Sequence, residues 1–262
     1  MIRIAHLSDL HFGRDRPELE QPLIDAVNAL AADLVVISGD YTQRARTWQY
    51  DRSAAFLKQI EAPTLSVPGN HDTPLDNLFK RFVWPFSRYK NAVDPDLEPT
   101  LDTDALRVVG LNTVNRFAWQ RGKLSSDTIA RMAEQFRSAG DRLRVAVLHH
   151  PLEHGPEVEK ELMNGAAETL EALGESGADM VLSGHLHTTI LRPFHAAPSC
   201  LFVQAGTALS DRLRGDLNAF NLIEATRDRV KIDVWAAGED PVYAITRSAG
   251  FSRTENGDWQ AD

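Results

Sequence analysis

Seven side chains able to hold a cation, and one able to move a proton, recur at one kind of place in this sequence. They are Asp9 and His11, then Asp40, then Asn70 with His71 beside it, then His149, then His185 and His187. Each group follows a short apolar run by one to three residues. The stretch Leu65-Ser66-Val67-Pro68-Gly69-Asn70-His71-Asp72 shows the pattern best. An apolar run stops at a Pro-Gly turn, and an amide oxygen, an imidazole and a carboxylate follow. Alone, such a segment reads as an ordinary Asn/Asp/Gly turn; its recurrence after other apolar runs makes it a ligand pattern. Two carboxylates, one amide and four or five imidazoles exceed what a single ion uses, whereas two ions sharing a bridging carboxylate would use them all. Mixed nitrogen and oxygen donors suit Mn, Fe, Co, Ni or Zn, and the lack of thiolates argues against a structural zinc cluster. Two metals about 3.5–4 Å apart can activate a water and clamp a phosphoryl group.

Sites of this kind form beyond the carboxyl ends of strands in open α/β sheets. Residues 2–7, 34–37 and 63–67 read as strands, the second a continuous apolar run suited to a parallel strand covered on both faces. Residues 19–31 and 47–60 read as intervening helices. Leu19, Leu23, Val27 and Leu30 face inward in the first, and Trp48, Ala55, Phe56 and Ile60 in the second. The alternation is that of right-handed βαβ units, so the fold class is α/β. A hairpin is expected over 100–111, a helix capped by Ser125 to about Ser138, a strand over 143–148, a helix over 166–175 and a strand over 179–182. Thereafter 189–194, 200–205, 219–224, 230–235 and 242–246 read as strands. Residues 1–250 are expected to form a single domain, and the polar stretch 251–262 a frayed tail. Residues 74–98 crowd Phe79, Phe82, Trp84, Phe86 and Tyr89 together with Pro85 and Pro95. A satellite apolar cluster under a long loop is the favoured reading, and the lid or wall of a pocket is the other.

A chain of 262 residues, 43% hydrophobic and 25% charged, can bury one sizeable core. The net charge of −9 argues against a nucleic-acid polymer as partner, which would need a basic face. It is compatible with a small phosphorylated substrate, because bound cations would supply local positive charge. Cys200 is the only cysteine, so no disulfide forms within the chain, which fits a reducing, cytoplasmic setting. The stretch before Asp9 is too short for a signal peptide, and no apolar run approaches the roughly 18–20 residues of a span, so no membrane partner is expected. The late strands leave both a monomer and a homo-oligomer open.

Asp9-x-His11, Gly39-Asp40, Gly69-Asn70-His71-Asp72, His149 after a strand and Gly184-His185-x-His187, in this order, resemble the calcineurin-like metallophosphoesterase superfamily. The start of the chain and His149-His150-Pro151 are most similar to its bacterial class III cyclic-nucleotide and glycerophosphodiester phosphodiesterases. The resemblance implies a four-layer α/β/β/α sandwich, the second sheet drawing on residues 100–111 and the strand-rich region after 188. It implies two divalent or transition metal ions (Mn, Fe, Zn or Co). Asp9, His11 and His187 would hold the first, Asn70, His149 and His185 the second, and Asp40 would bridge them. His71 would stay off the metals, beside the phosphate, stabilising charge or protonating the leaving oxygen. The implied reaction is hydrolysis of a small phosphodiester by a metal-bound hydroxide, with no covalent phosphoenzyme. A non-catalytic scaffold that recruits a protein partner is the alternative from another class, disfavoured because no ligand is missing. A phosphomonoesterase or nuclease of the same superfamily is a further alternative.

This sequence departs from some relatives. Many carry Asp three residues after the bridging carboxylate, where this chain has Gln43, so Asp72 or a backbone carbonyl must orient His71 instead. The tyrosine of purple acid phosphatases belongs at that same position, not at Tyr41. The Gly-Asp-x-Val-Asp-Arg-Gly pattern of serine/threonine phosphatases is missing, and the lipid A precursor pyrophosphatases have Arg in place of His71. Adjacent side chains on an extended segment face opposite ways, and the family pattern selects His149 as ligand, leaving His150 to support a ligand by hydrogen bond. His6, His154 and His195 read as structural or solvated, as does Arg44; Asn112 and Arg116 follow a strand and are weaker candidates for the substrate side.

Overall fold

Alternation of apolar side chains along each strand sets the layers of this molecule. The computed structural model describes residues 1–75, 77–155, 158 and 161–262. In chain order the elements are β1 (Ile2–Leu7), α1 (Glu20–Ala29), β2 (Leu34–Ile37), α2 (Thr47–Leu57), β3 (Thr64–Ser66), α3 (Leu78–Val83) and α4 (Ser87–Ala92). There follow β4 (Thr100–Asp102), β5 (Leu106–Leu111), α5 (Ser126–Arg137), β6 (Leu143–Leu148), α6 (Ala166–Ser176) and β7 (Met180–Ser183). The chain closes with β8 (Ile190–Pro193), β9 (Leu201–Gln204), β10 (Asn218–Ala225), β11 (Arg229–Ala237), β12 (Ala244–Arg253) and β13 (Trp259–Ala261).

One sheet has the order β13-β12-β11-β10-β1-β2-β3 and the other β4-β5-β6-β7-β9-β8. Both are mixed: β1, β2 and β3 run parallel while β10 meets β1 antiparallel. In the second sheet β5, β6, β7 and β9 are parallel, with β4 and β8 as antiparallel edges. Side chains of period two divide between the faces. Ile4, Leu34 and Val36 meet Val145, Val147 and Leu182 in a core between the sheets. Ala5, Leu7, Val35 and Ile37 point the other way, onto Leu23, Val27, Tyr50 and Phe56 of α1 and α2. Ala146, Leu148 and Val181 of the second sheet likewise pack on Ile129, Phe136, Leu170 and Leu173 of α5 and α6. The result is the expected four-layer α/β/β/α sandwich. No helix among the described residues is long and apolar enough to cross a membrane.

The structure corrects the sequence reading at four places. In α2 the buried face is Gln49, Tyr50, Ser53 and Phe56, while Trp48 and Ala55 are exposed. The strands after residue 188 divide: β8 and β9 join the second sheet, but β10 to β13 complete the first. The expected frayed tail over 251–262 is ordered. The end of β12 and all of β13 pair there, and Trp259 is buried in the inter-sheet core, its indole N–H donating to the Asp179 carbonyl at 3.0 Å. A polar composition hid two aromatic anchors, Phe251 and Trp259, both buried in the inter-sheet core. Finally, the aromatics of 79–98 do not form one cluster. Tyr89 is buried and Phe86 partly so, but Phe79, Phe82 and Trp84 are exposed on α3 and just beyond it.

Candidate metal centre

The ends of β1, β2, β3, β6 and β7 bring their ligand groups to one spot. The backbone there is strained. Asp9, His11, Asp40, His185 and His187 all have positive φ, between 49° and 74°, a region non-glycine residues rarely enter. Hydrogen bonds between the loops fix these conformations. Asp9 N–H donates to the Gly39 carbonyl at 3.0 Å, and His11 N–H to the Asp40 carbonyl at 2.9 Å. Thr207 Oγ1 donates to the Asp9 carbonyl at 2.6 Å. Glycine is required where the loops touch: a Cβ on Gly69 would lie 2.1 Å from Asp40 Oδ1, and one on Gly184 would lie 1.8 Å from Ser8 Oγ.

Each carboxylate has one oxygen anchored and one turned inward. Asp9 Oδ2 accepts from Ser8 Oγ (2.6 Å) and His185 N–H (2.9 Å), whereas Oδ1 lies 3.1 Å from His187 Nε2 and 3.4 Å from His11 Nε2. Asp40 Oδ1 accepts from His71 N–H at 2.8 Å, whereas Oδ2 lies 3.3 Å from His149 Nε2 and 3.6 Å from His11 Nε2. Backbone carbonyls orient the imidazoles: Nδ1 of His149 meets Ser38 O at 2.7 Å, and Nδ1 of His187 meets Arg212 O at 2.8 Å. A proton on each Nδ1 leaves the Nε2 lone pair facing the centre, the arrangement of metal-ligating histidines.

That donor set fits a cation. His11 and His187 present their Nε2 atoms to each other at 3.1 Å, and Asp9 Oδ1, Asn70 Oδ1 and His149 Nε2 are buried without a hydrogen-bond partner. Unpaired acceptors in a dry site cost free energy unless positive charge compensates them. Asp9, His11 and His187 have donor atoms close enough to hold one ion, as do Asp9, Asp40 and His149, and His149, His150 and His185. Burial opposes charge on Asp9 and Asp40, but neighbouring imidazoles outweigh it and hold both below the ordinary carboxylate range. Burial also works against a charged His149, yet Asp40 beside it raises the imidazole to about 9. The pocket is therefore built to stabilise cations.

His71 stands at the edge of this cluster, its ring 4.9 Å from that of His11 and edge-on to it. Burial lowers its pKa and Asp40 partly restores it. Its Nδ1 meets the Gln43 backbone carbonyl at 2.9 Å, so a carbonyl does the orienting. Asp72 serves the backbone instead. Its Oδ1 accepts from Thr42 N–H (2.9 Å) and Thr42 Oγ1 (3.1 Å), and its Oδ2 from Gly69 N–H (2.9 Å) and Tyr41 N–H (3.2 Å). It clamps the loops of Asp40 and Asn70 together. Sequence reasoning missed this role, and the adjacent Asn70-His71 motif was the only signal for it.

His150 lies beyond the second group, its ring 4.7 Å from that of His185, with Nδ1 2.7 Å from Thr113 Oγ1. Burial and then the charge of His149 push it down to about 3, so it stays neutral. It borders a cavity of about 210 Å³ that His154, Gln120, Arg121 and His185 also line. His6 is buried against Ser38 Oγ at 2.9 Å and His195 is exposed beside Glu153, both outside the cluster. Arg44 is exposed, Asn112 Oδ1 caps the Val114 N–H, and Arg116 donates to the Phe82 carbonyl.

The two-sheet fold and the donor set at its strand ends have the architecture of the α/β/β/α metallophosphoesterase class. Residues 2–189 match the Calcineurin-like phosphoesterase family, and the chain belongs to it. It is similar to the glycerophosphodiester phosphodiesterase GpdQ of Enterobacter lignolyticus, at 26% identity over 56% of this chain and 56% of that protein. The match thus spans only about half of that relative's length. It is also similar to a probable cyclic nucleotide phosphodiesterase of Rhodopseudomonas palustris, at 26% identity over 79% of this chain and 78% of that one. Among solved structures, a dimetal phosphatase from Danio rerio superposes with a TM-score of 0.70 at 12% identity, covering 96% of this chain and 98% of that one. Purple acid phosphatase PPD1 of yellow lupin (Lupinus luteus) gives the same score and identity over 98% of this chain and 54% of that one. At such identities these two speak to the fold alone.

Proposed function

We propose that this chain is a dinuclear metal-dependent phosphodiesterase acting on small phosphodiesters of the cyclic-nucleotide or glycerophosphodiester kind. The observation that carries the reading is the buried set of inward-facing donors, among them Asp9 Oδ1, Asn70 Oδ1 and His149 Nε2 with no hydrogen-bond partner, and His71 standing just outside it. Asp9, His11 and His187 would hold one ion, Asn70, His149 and His185 the other, and Asp40 both. Bound Mn, Fe, Zn or Co ions would offset charge on the phosphoryl oxygens and acidify a water toward neutral pH. Asp40 is suited to the shared position because Oδ1 is fixed by His71 N–H while Oδ2 faces imidazoles from both groups. His71, held by the Gln43 carbonyl at Nδ1, presents Nε2 for a proton at the leaving oxygen. The cavity beside His150 and His185 leaves room for one ester substituent. The names of the two relatives support a diester, and the sole, buried cysteine supports a reducing, cytoplasmic setting.

The test is hydrolysis of bis(p-nitrophenyl) phosphate by Mn-loaded protein, with and without chelator. Chelator-sensitive turnover is expected. His71→Ala should keep its metal and lose roughly 10²- to 10⁴-fold in kcat, the usual share of a general acid. Turnover that ignores chelator would refute the metal reading, and faster cleavage of p-nitrophenyl phosphate would make the protein a monoesterase. Stoichiometric metal binding with no activity on either would favour a scaffold.

A further inference from the structure

Seven of the thirteen large apolar side chains exposed among the described residues lie in two short segments: α3 with Trp84, and the loop at 117–119. Phe117 is 76% exposed, Phe79 64%, Trp84 59% and Trp119 58%. Hydrogen bonds join the segments into one face. Arg81, buried beneath it, donates to the carbonyls of Arg116 (2.9 Å) and Ala118 (2.7 Å), and Arg116 donates back to the Phe82 carbonyl at 3.0 Å. The rings of Phe82 and Phe117 stack at 5.7 Å, and Phe79 meets Trp84 edge-on at 5.6 Å. These aromatics form a braced platform rather than stray surface residues.

The platform lies on the rim of the metal centre. The third contact of Arg81 is to Thr73 Oγ1 at 2.9 Å, two residues beyond His71. At the other end Gly122 packs so closely on the His150 ring that a Cβ would come within 2.6 Å of it. The charge here is also unlike that of the whole protein. In a chain of net charge −9, residues 77–93 and 112–126 contain no Asp or Glu, while Lys80, Arg116 and Lys123 are exposed there.

We propose that this face docks the protein peripherally on an anionic lipid bilayer, with its aromatic rings at headgroup level and Lys80, Arg116 and Lys123 against acidic headgroups. Exposed aromatics mixed with cations have the composition of an interfacial membrane contact, and Glu161, which reaches this region, is ion-paired with Arg121 at 2.7 Å. A second copy fits less well, because an isologous contact would set Lys80, Arg116 and Lys123 against the same cations of the other copy. A protein partner fits less well too, since lysine is depleted at the centres of such interfaces. Peripheral binding needs no membrane span, so the expectation of no membrane partner, which rests on the missing span, does not bear on it.

Co-sedimentation with phosphatidylcholine vesicles, and with vesicles in which part of that lipid is replaced by phosphatidylglycerol, tests the proposal. Binding to the anionic vesicles alone, weakened by added salt, is expected. Lys80→Ala should weaken it about fivefold, the usual contribution of one surface cation, and the double variant Phe79→Ser/Trp84→Ser should weaken it further. Both variants change exposed side chains and should hydrolyse a soluble diester as the wild type does, which reports that they are folded. Three results would overturn the proposal: no binding to anionic vesicles, binding that these substitutions leave unchanged, or a wild-type dimer in light scattering that Phe79→Ser/Trp84→Ser dissolves.

Discussion

Replacing Asp72 by Asn tests whether the site is held by its loops or only by its ligands. The two Asp72 oxygens accept four hydrogen bonds, two each, from Thr42 N–H and Oγ1 and from Tyr41 and Gly69 N–H. An asparagine keeps one oxygen; with its NH₂ in the place of Oδ1 it meets the Thr42 hydroxyl, which can accept, but still opposes the Thr42 N–H. A buried donor left unsatisfied costs about 1–3 kcal/mol, and the opposite orientation, with NH₂ against the Tyr41 and Gly69 N–H groups, costs more. At about 2–4 °C per kcal/mol for a large single domain, the midpoint of thermal unfolding should fall by about 5 °C. The donors concerned flank Asp40 and Asn70, so the inward oxygens of both should lose their fixed positions and metal affinity should drop as well. Circular dichroism melts of the metal-free protein read the first effect, and calorimetric titration with Mn²⁺ reads the second. A melting midpoint within about 2 °C of wild type, together with an unchanged titration, would refute the clamp.

Three other positions give sharp expectations. His6 is buried and held neutral, its pKa lowered from 6.5 to about 3 by burial. Its contribution to stability is therefore complete above pH 6.5 and lost as pH falls toward 3. His6→Gln should reduce the slope of unfolding free energy against pH by about 1.4 kcal/mol per unit below pH 6.5, measured by urea melts of metal-free protein; an unchanged slope would contradict this. Gly69→Ala should leave the cores intact but abolish tight metal binding, because the added carbon would sit 2.1 Å from Asp40 Oδ1; normal metal content by emission spectrometry would count against it. Trp259→Ala should cost about 3–5 kcal/mol in a denaturant melt, as loss of a large buried aromatic does, whereas a frayed tail would cost nothing.

Much of the architecture was legible because burial imposes simple periods on a sequence. Leu34–Ile37 reads as a strand covered on both faces, and alternate residues do enter two different cores. The ligand types were legible for a related reason: Asp, Asn and His immediately after apolar runs mark strand ends where a polar site can open. The inward face of α2 was not legible, because hydrophobicity ranks Trp48 above Gln49. Yet Gln49 Oε1 accepts from the backbone of Arg44 and Arg46, and Tyr50 Oη donates to the Asp72 carbonyl. Those polar groups face inward to support the loop after Asp40. Carbonyl acceptors such as Ser38 O, Gln43 O and Arg212 O were equally invisible, since every residue has one and only the fold decides where it points.

The left-handed conformations at the site link the fold to its chemistry. Strain of about 1–3 kcal/mol at each of Asp9, His11, Asp40, His185 and His187 would total roughly 5–15 kcal/mol, comparable to the whole net stability of a domain. Such a set persists only where the surroundings over-determine it. Here Gly39 O and Asp40 O hold the first loop, the Asp72 carboxylate holds the next two, and Asp9 itself accepts from His185 N–H to hold the last. Asp9 and Asp40 also turn an oxygen toward neighbouring imidazoles, so in the metal-free site carboxylates and imidazoles hold one another across strained loops. Cation binding can replace those contacts but does not relieve the strain. The loops must therefore be set by the fold before any ion arrives, which is why the supporting residues Asp72, Gly69 and Gly184 should matter to metal affinity almost as much as the ligands do.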